Sequence, residues 1–256
     1  DSGEFEPEDV DFSRPLTNGP HTVGFDESFI IPASLDMDPY CYIENGRVVE
    51  QPTATTPDSA RPAFWRGGPC APGFSHETCL LELTVRAESF IAQQADSHQP
   101  FFLYFPTPSP HTPHFSRGPF KGSSKAGVYG DYVVEHDWSV GRIIDAIDRN
   151  GLAENTLIIV TSDNGAHCAS SFSAEAAWNF ERDFGHRSSY IYRGQKSDAW
   201  DGGHRIPFLA RWTGTIEPDR TCEQTICLTD LLATCAGLLG EELPPGAGED
   251  SANVVP

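Results

Sequence analysis

Polar side chains that could do chemistry occur in three loops of this sequence, each next to a short apolar run. They are the imidazoles of His111 and His114 in the first loop, the pair Asp163-Asn164 in the second, and Lys196 in the third. Carboxylate and carboxamide oxygens suit hard cations such as Ca²⁺ or Mg²⁺. A lysine and a histidine beside such a cation would attract an anion, and a histidine can protonate a leaving group.

Each of these motifs alone has a simpler interpretation. Asp163-Asn164-Gly165 is a frequent turn sequence, because these residues tolerate left-handed backbone angles. Histidines in a proline-rich surface loop are commonly inert, and Lys196 in a polar segment is by default a solvated lysine. Two oxygen ligands also do not complete the coordination shell of a calcium ion, which takes roughly six to eight oxygens. The order and spacing of the three loops are what favour a shared site.

The elements that must position these loops follow from apolar periodicity and from turn residues. Short β-rich runs predict strands, and apolar residues at helical spacing predict three helices, which end at Ser97, Gly151 and Gly240. The predicted strands are 100–105, 156–161 and 205–212, and the predicted helices are 75–97, 125–152 and 229–240. This alternation indicates an α/β sheet, and parallel strands would bring the loops together at one edge. Cys227 and Cys235 are expected to be core thiols.

Composition excludes several classes of function. The chain has 256 residues, 38% of them hydrophobic, and a net charge of −20. This charge argues against non-specific binding to nucleic acid or to an anionic membrane. No apolar run approaches the length of a membrane span. The seven cysteines show no zinc spacing, and their odd number is compatible with some disulfides in an oxidising compartment.

Four longer segments together resemble the sulfatases of the alkaline-phosphatase-like superfamily. They are "PFFLYFPTPSPHTPH", "GDYVVEHDWSVGRIIDAIDRNGLAENTLIIVTSDNG", "YRGQKSDAWDGGHRIPFLARW" and "TDLLATCAGLLG". Upstream, "GFDESFIIPASLDMDPYCYIENGRVV" is similar to the middle of arylsulfatases that act on carbohydrate sulfates. The resemblance extends from about Asp11 to Gly240.

The resemblance implies an α/β fold with an alkaline-phosphatase-like mixed sheet flanked by helices, here incomplete. Residues 1–240 would form a partial sulfatase catalytic domain, with an irregular substrate-side segment 1–75 and an α/β portion 76–240. Residues 241–256 would be an acidic, Pro/Gly-rich tail. The implied activity is hydrolysis of a sulfate ester, with a carbohydrate sulfate as the expected substrate.

Site roles follow from the resemblance position by position. Asp163 and Asn164 would be ligands of calcium, with magnesium as an alternative. Lys196 would contact the sulfate and neutralise charge that builds on its oxygens. His111 would contact the sulfate or protonate the leaving alcohol. The remaining expectations are His114 as a substitute for His111, His186 as a lining residue of the substrate pocket, and Arg205 as a structural support.

The sequence departs from the family pattern at the nucleophile. Sulfatases use a formylglycine made in a Cys-x-Pro-Ser-x-Arg context, and no cysteine here has it; Cys70 has the proline but neither the serine nor the arginine. The paired N-terminal aspartates that complete the calcium site are also missing. The chain therefore resembles the later part of a sulfatase, the formylglycine is expected in an upstream segment, and the isolated chain is predicted to be inactive.

Two other functions stay open at this point. One is a phosphodiesterase or phosphonate hydrolase of the same superfamily, although Asn164 stands where such two-metal enzymes need a histidine. The other is a non-catalytic module that binds sulfated glycans. The expected partner is a sulfated small molecule or glycan, and the expected compartment is periplasmic, extracellular or lysosome-like.

Overall fold

The computed structural model describes residues 10–60, 63–167 and 180–255. They form a mixed α/β structure, as predicted, that divides into two units. The first unit contains residues 1–156 and 167–191, and the second contains 157–166 and 192–256. None of the helices in the described ranges is both long enough and apolar enough to span a membrane.

Two long helices organise the first unit. Helix α1 (Cys79–Ser97) buries one face, formed by Cys79, Leu80, Leu83, Thr84, Ala87 and Ile91. Helix α2 (Gly127–Arg149) packs against it. In the buried contact between them, Thr84 Oγ1 and Ser139 Oγ are 2.7 Å apart. Nearer the surface, Arg142 Nε donates to Glu88 Oε1 at 2.6 Å. The apolar spacing thus predicted both helices, although the buried face of α2 also contains the polar residues Asp131, Glu135 and Ser139.

The helix ends match the sequence prediction only in part. Helix α1 was expected to begin at Ser75, but it begins at Cys79, because Thr78 N–H bonds to the Ser75 carbonyl in a preceding turn at 3.2 Å. Helix α2 ends as predicted. Gly151 follows its last turn with a φ of 71°, a left-handed angle that glycine adopts without strain.

The segment before α1 contains more regular structure than predicted. Its five short strands form two small antiparallel sheets, one of three strands and one of two. The strands are β1 (Phe29–Ile30), β2 (Ile43–Glu44), β3 (Arg47–Val48), β4 (Ala54–Thr56) and β5 (Gly68–Cys70). The β2–β3 turn is Asn45-Gly46, with both residues at positive φ, 49° and 76°. An Asn-Gly pair between short apolar runs is a strong hairpin signal.

The strand predicted at 100–105 is not a paired strand. The segment is extended, but in the described part of the chain none of its backbone groups makes a backbone hydrogen bond. Phe102 and Tyr104 point outward with 70% and 66% of their surfaces exposed. Phe105 packs on the core cluster of Leu35, Cys79 and Leu83. The apolar pattern therefore marks one side of the segment as buried, without a neighbouring strand.

The second unit is built on an antiparallel strand pair. Strand β6 (Ile158–Thr161) pairs with β7 (Phe208–Arg211), so that Thr161 lies opposite Phe208. We expect the loops to meet if these strands are parallel, but the two strands are antiparallel. The antiparallel register nevertheless brings two of the loops together. It places the end of β6 beside the beginning of β7, so the loop after β6 meets the segment before β7.

Three shorter α-helices follow α2 in the described residues. Helix α3 (Phe180–Phe184) belongs to the first unit, and α4 (Asp201–His204) lies just before β7. Helix α5 (Asp230–Leu239) ends at Gly240, which has a φ of 71° as its predicted role requires. Cys227 and Cys235 are exposed, so their predicted burial is wrong.

The segment after α5 folds back along that helix. Asp230 Oδ1 accepts a hydrogen bond from Ala252 N–H at 2.9 Å, and Thr234 Oγ1 accepts one from Val254 N–H at 3.1 Å. Ser251 Oγ accepts one from Ala233 N–H at 2.9 Å. The end of the acidic segment is thus attached to α5 by hydrogen bonds.

Candidate functional site

Asp163 and Asn164 form a tight turn at the end of β6. Asp163 Oδ1 accepts a hydrogen bond from Asn164 N–H at 2.9 Å, and Asn164 Nδ2 donates to the Gly165 carbonyl at 3.1 Å. Ser162 Oγ donates to the Asn164 carbonyl at 3.0 Å. These bonds fix the turn and leave Asp163 Oδ2 and Asn164 Oδ1 without a hydrogen-bond donor among the described residues.

Lys196 lies in a second tight turn, closed by Asp198. Asp198 N–H bonds to the Gln195 carbonyl at 2.9 Å, and Asp198 Oδ2 accepts from Gln195 N–H at 3.1 Å. Ser197 adopts a positive φ of 75° in this turn. The Asp198 carboxylate is therefore used to shape the loop, and Lys196 stands at its tip.

Backbone hydrogen bonds join the two turns. Lys196 N–H donates to the Ala166 carbonyl at 3.0 Å, and Gly165 N–H donates to the Gly203 carbonyl at 2.8 Å. The contact is so close that a Cβ on Gly165 would lie 1.9 Å from the Gly202 carbonyl oxygen. A Cβ on Gly203 would lie 2.0 Å from the Asp198 carbonyl oxygen. Glycine is required at both positions because only its backbone can approach this closely.

Cationic side chains lie at the junction together with Asp163 and Asp198, in a chain that is acidic overall. In its own unit, as far as the structure describes it, Lys196 makes no ion pair. Two arginines flank it, with Arg193 stacked 3.7 Å above the Trp200 ring and Arg205 4.6 Å from the Tyr192 ring. The stacking of Arg205 fits its expected structural role. An anion placed beside Lys196 would meet an unneutralised ammonium group.

The donor set at the β6 turn fits a hard cation in part. Asp163 Oδ2 and Asn164 Oδ1 belong to consecutive residues and have no competing donor among the described residues, and such oxygens are the ligands that calcium prefers. In the described ranges, however, no group of three or more His, Cys, Asp or Glu side chains could hold a metal. These two residues therefore supply at most part of a coordination shell.

His111 lies in the first unit, beside a buried carboxylate. Its Nδ1 is 2.8 Å from the Thr112 carbonyl and 3.9 Å from Asp36 Oδ1. Asp36 also accepts from Arg66 Nη1 at 2.9 Å. Burial alone would raise the pKa of Asp36, but the hydrogen bonds from Ser34 and Arg66, with the charges of His111 and Arg66, lower it below its usual value. Asp36 is thus a negative charge that faces the imidazole at neutral pH.

His114 and His186 belong to an aromatic cluster in the same unit. Both rings contact Tyr129, with centroid distances of 5.2 and 5.6 Å. Tyr129 stacks on Phe180 at 4.7 Å, and Phe180 is only 4% exposed. The two histidines are half-buried, so packing is their evident role in the structure, and substrate contact remains a prediction.

Helix α2 holds the histidine-bearing loop at three places. His136 Nδ1 is 2.8 Å from Ser109 Oγ, and Glu135 accepts from Arg117 N–H at 3.0 Å and from Arg117 Nε at 2.6 Å. Asp131 accepts from the backbone N–H groups of Gly122 and Ser124 at 2.7 and 2.8 Å. His111 lies between the first two of these attachments. Glu135 is 1% exposed, which marks this contact as the most buried of the three.

Comparison with known proteins decides the family. The family model "Sulfatase" matches residues 22–241 of this chain. The chain belongs to the sulfatase family. An N-acetylgalactosamine-6-O-sulfatase of Bacteroides thetaiotaomicron is 31% identical over 94% of this chain and 53% of its own length. The steryl-sulfatase of Rattus norvegicus is 40% identical over 68% of this chain and 29% of its own length.

Solved structures show the same fold. A structure from work on the metabolism of multiple glycosaminoglycans by Bacteroides thetaiotaomicron matches with a TM-score of 0.81 and 30% identity, over 95% of this chain and 57% of that one. A sulfatase from Pseudoalteromonas sp. matches with a TM-score of 0.55 and 30% identity, over 66% and 32%. This sulfatase chain spans about half, or less, of the length of the curated relatives that it matches.

The sequence thus predicted the family and the fold class correctly. It predicted that the loops carrying Asp163-Asn164 and Lys196 meet, and backbone hydrogen bonds join them; the loop of His111, predicted for the same site, belongs to the other unit. It missed Asp36 and His136. Asp36 carries no sequence signal, whereas His136 occurs in a helix whose neighbours Asp131 and Glu135 are also polar at buried positions.

Proposed function

We propose that this sulfatase chain supplies the sulfate-binding part of a sulfuric ester hydrolase that acts on a carbohydrate sulfate. The observation that carries the proposal is the junction of the two turns, where Lys196 N–H bonds to Ala166 beside Asp163 and Asn164. It joins the turn that carries Lys196, which makes no ion pair with the described residues of its unit, to the turn that carries Asp163 and Asn164. That combination suits an anionic group held beside a cation.

Lys196 would bind the sulfate oxygens and stabilise the negative charge that grows on them during S–O cleavage. Asp163 and Asn164 would hold calcium, which when bound polarises the sulfate. His111 would protonate the leaving alcohol, and its ring lies 3.9 Å from the Asp36 carboxylate. His114 and His186 are kept as possible substrate contacts.

This chain alone is expected to bind rather than to hydrolyse. It has no Cys-x-Pro-Ser-x-Arg segment from which a formylglycine nucleophile is made, and Asp163 and Asn164 are too few ligands to complete a calcium site. A sulfated sugar is the expected ligand because the bacterial N-acetylgalactosamine-6-O-sulfatase matches 94% of the chain. By the same reasoning, an exported compartment is the expected location.

The test is calorimetric titration of the chain with N-acetylgalactosamine 6-sulfate in the presence of calcium. Lys196→Ala should weaken binding about tenfold or more, because a hydrogen bond to a charged group contributes about 1.5 to 3 kcal/mol. Lys125→Ala is the matched control, since Lys125 is also a lysine without an ion pair in the described part of the chain but lies in the other unit. Equal affinities of the Lys196→Ala variant and the unchanged chain would refute the proposal.

A further inference from the structure

His136 is a half-buried polar residue of α2 that the proposed mechanism does not use. Its Nδ1 faces two hydroxyl oxygens of the loop before His111, at 2.8 Å from Ser109 Oγ and 3.3 Å from Thr107 Oγ1. Ser109 is 6% exposed, so the contact is shielded from water. A hydrogen bond in such a place is costly to lose, because the freed polar groups cannot turn to solvent.

The geometry also indicates which ring nitrogen of His136 carries the proton. Thr107 Oγ1 donates its proton to the Ser109 carbonyl at 3.0 Å, so only lone pairs of this oxygen face His136. An unprotonated Nδ1 could accept a proton from Ser109 Oγ but would oppose the Thr107 lone pairs with its own, whereas an Nδ1–H can donate toward both hydroxyl oxygens. The Nδ1–H tautomer is therefore the one that fits.

We propose that His136 is a positioning residue for His111, acting through an Nδ1–H donor that holds Ser109 and Thr107. The loop between Ser109 and Arg117 is then held at both ends by α2, at one end by His136 and at the other by Glu135. His111 stands two residues from the first attachment, where its backbone N–H bonds to the Pro108 carbonyl at 3.1 Å. This arrangement keeps the imidazole beside Asp36.

Burial supports a neutral His136. The low-dielectric surroundings lower the pKa of this histidine from its ordinary value, while the neighbouring Asp137 works in the opposite direction. The ring is therefore uncharged at neutral pH, and one fixed tautomer can persist. A neutral ring with a defined donor gives the loop a single orientation.

Two substitutions at this position separate the proposal from a general packing effect. Asparagine can place an amide N–H where Nδ1 lies, whereas glutamine reaches toward the position of Nε2. His136→Asn should therefore keep the loop in place, and His136→Gln should release it. His98→Asn is the matched control, because His98 is exposed and already has the positive φ of 55° that asparagine tolerates.

The first readout does not depend on ligand. Hydrogen exchange of the His111 backbone amide should stay within about threefold of the unchanged chain in His136→Asn and His98→Asn, and should quicken roughly 3- to 10-fold in His136→Gln, the loss expected for one hydrogen bond. The ¹⁵N NMR spectrum of the unchanged chain should show a protonated Nδ1 on His136. Equal exchange in the asparagine and glutamine variants, or an unprotonated Nδ1, would overturn the proposal.

The second readout rests on the proposed function and tests action through His111. Affinity for N-acetylgalactosamine 6-sulfate should fall roughly 3- to 10-fold in His136→Gln, and this fall should vanish when His111→Ala is present in both proteins. A fall of the same size in the His111→Ala background would contradict positioning. If the unchanged chain binds no sulfated sugar, the proposed function fails, while the exchange and nitrogen measurements still decide the role of His136.

Discussion

The backbone N–H of Lys196 donates a hydrogen bond to the carbonyl of Ala166 at 3.0 Å, which fixes the lysine turn against the turn that carries Asp163 and Asn164. No side chain takes part in this bond. The positions of these three candidate residues therefore depend on how closely two stretches of backbone can approach. The glycines at 165, 202 and 203 permit that approach.

A methyl group at Gly165 should break this junction. In Gly165→Ala the new Cβ would lie 1.9 Å from the Gly202 carbonyl oxygen, a backbone atom that cannot turn away. We expect a loss of about 1 to 3 kcal/mol in the free energy of unfolding, together with loss of sulfated-sugar binding. Urea unfolding and calorimetry measure the two effects.

Gly141→Ala is the control for this substitution. Nothing lies within 4 Å of the position where its Cβ would be, and the residue is inside helix α2. This change should stabilise the protein by about 0.5 to 1 kcal/mol, because alanine favours the helix. A Gly165→Ala variant as stable as the Gly141→Ala variant would show that the backbone junction is not as tight as described.

Removal of the buried carboxylate of Glu135 should be strongly destabilising. Glu135 is 1% exposed, and its partner Arg117 is 17% exposed, so Glu135→Ala leaves a nearly buried guanidinium group without its counter-charge. We expect a loss of about 3 to 5 kcal/mol in the free energy of unfolding, measured by urea titration.

The exposed ion pair of Glu77 and Lys121 serves as the comparison for Glu135. Their nitrogen–oxygen distance is 2.9 Å, but the side chains are 35% and 53% exposed. Glu77→Ala should cost less than about 1 kcal/mol, because water replaces the lost partner. Similar losses at Glu77 and Glu135 would contradict the assignment of the second as a buried attachment of the loop.

His76 should make the protein less stable in mild acid. Burial lowers the pKa of His76 to about 4 in the folded protein, against about 6.5 in an unfolded chain. The unfolded state therefore binds more protons between these values, so stability falls as the pH decreases from 6.5 to 4. The imidazole stacks on Trp65 at 4.1 Å, and its buried Nε2 has no hydrogen-bond partner among the described residues.

Substitution by phenylalanine isolates this effect. His76→Phe keeps an aromatic ring on Trp65 and removes the titrating group, so the loss of stability between pH 7 and pH 4.5 should be smaller than in the unchanged chain. Asp36 contributes equally in the two proteins, because the substitution leaves its hydrogen bonds with Ser34 and Arg66 in place. Urea unfolding at the two pH values checks the prediction, and identical losses in both proteins would exclude His76 as the cause.

The open segment 100–105 should promote association. It is extended, it makes no backbone hydrogen bond with the described residues, and it exposes Phe102 and Tyr104. Such an edge can pair with another chain. Tyr104→Lys should reduce aggregation measured by light scattering, with little change in the free energy of unfolding. Val23→Lys adds the same charge at a residue that is 74% exposed, and it should not reduce aggregation. An equal reduction by both substitutions would attribute the effect to charge alone.

Sequence reasoning succeeded where a residue pattern has one physical solution. The helix at 127–149, the left-handed glycines at 151 and 240, and strand β6 followed from periodicity and from backbone freedom. Asn45-Gly46 carried an equally clear hairpin signal that was overlooked. The segment 100–105 has a strand composition, but pairing needs a neighbouring strand, and composition cannot supply one.

The contacts that position the candidate site could not be predicted. Thr161 opposite Phe208 depends on the antiparallel register, and the approach of Asp36 to His111 joins residues 75 positions apart in the chain. These are choices of tertiary structure with no local pattern. The residue types of the candidate site could be predicted, because its chemistry needs particular side chains. Their arrangement in space could not be predicted.

The most direct test of the central claim is an NMR titration of the ¹⁵N-labelled chain with N-acetylgalactosamine 6-sulfate, compared with unsulfated N-acetylgalactosamine. The account predicts that the backbone amide signals of Gly165, Ala166 and Lys196 shift together with the sulfated sugar and remain in place with the unsulfated one. Shifts of equal size with both sugars, or sulfate-dependent shifts that leave these three amides unchanged, would contradict it.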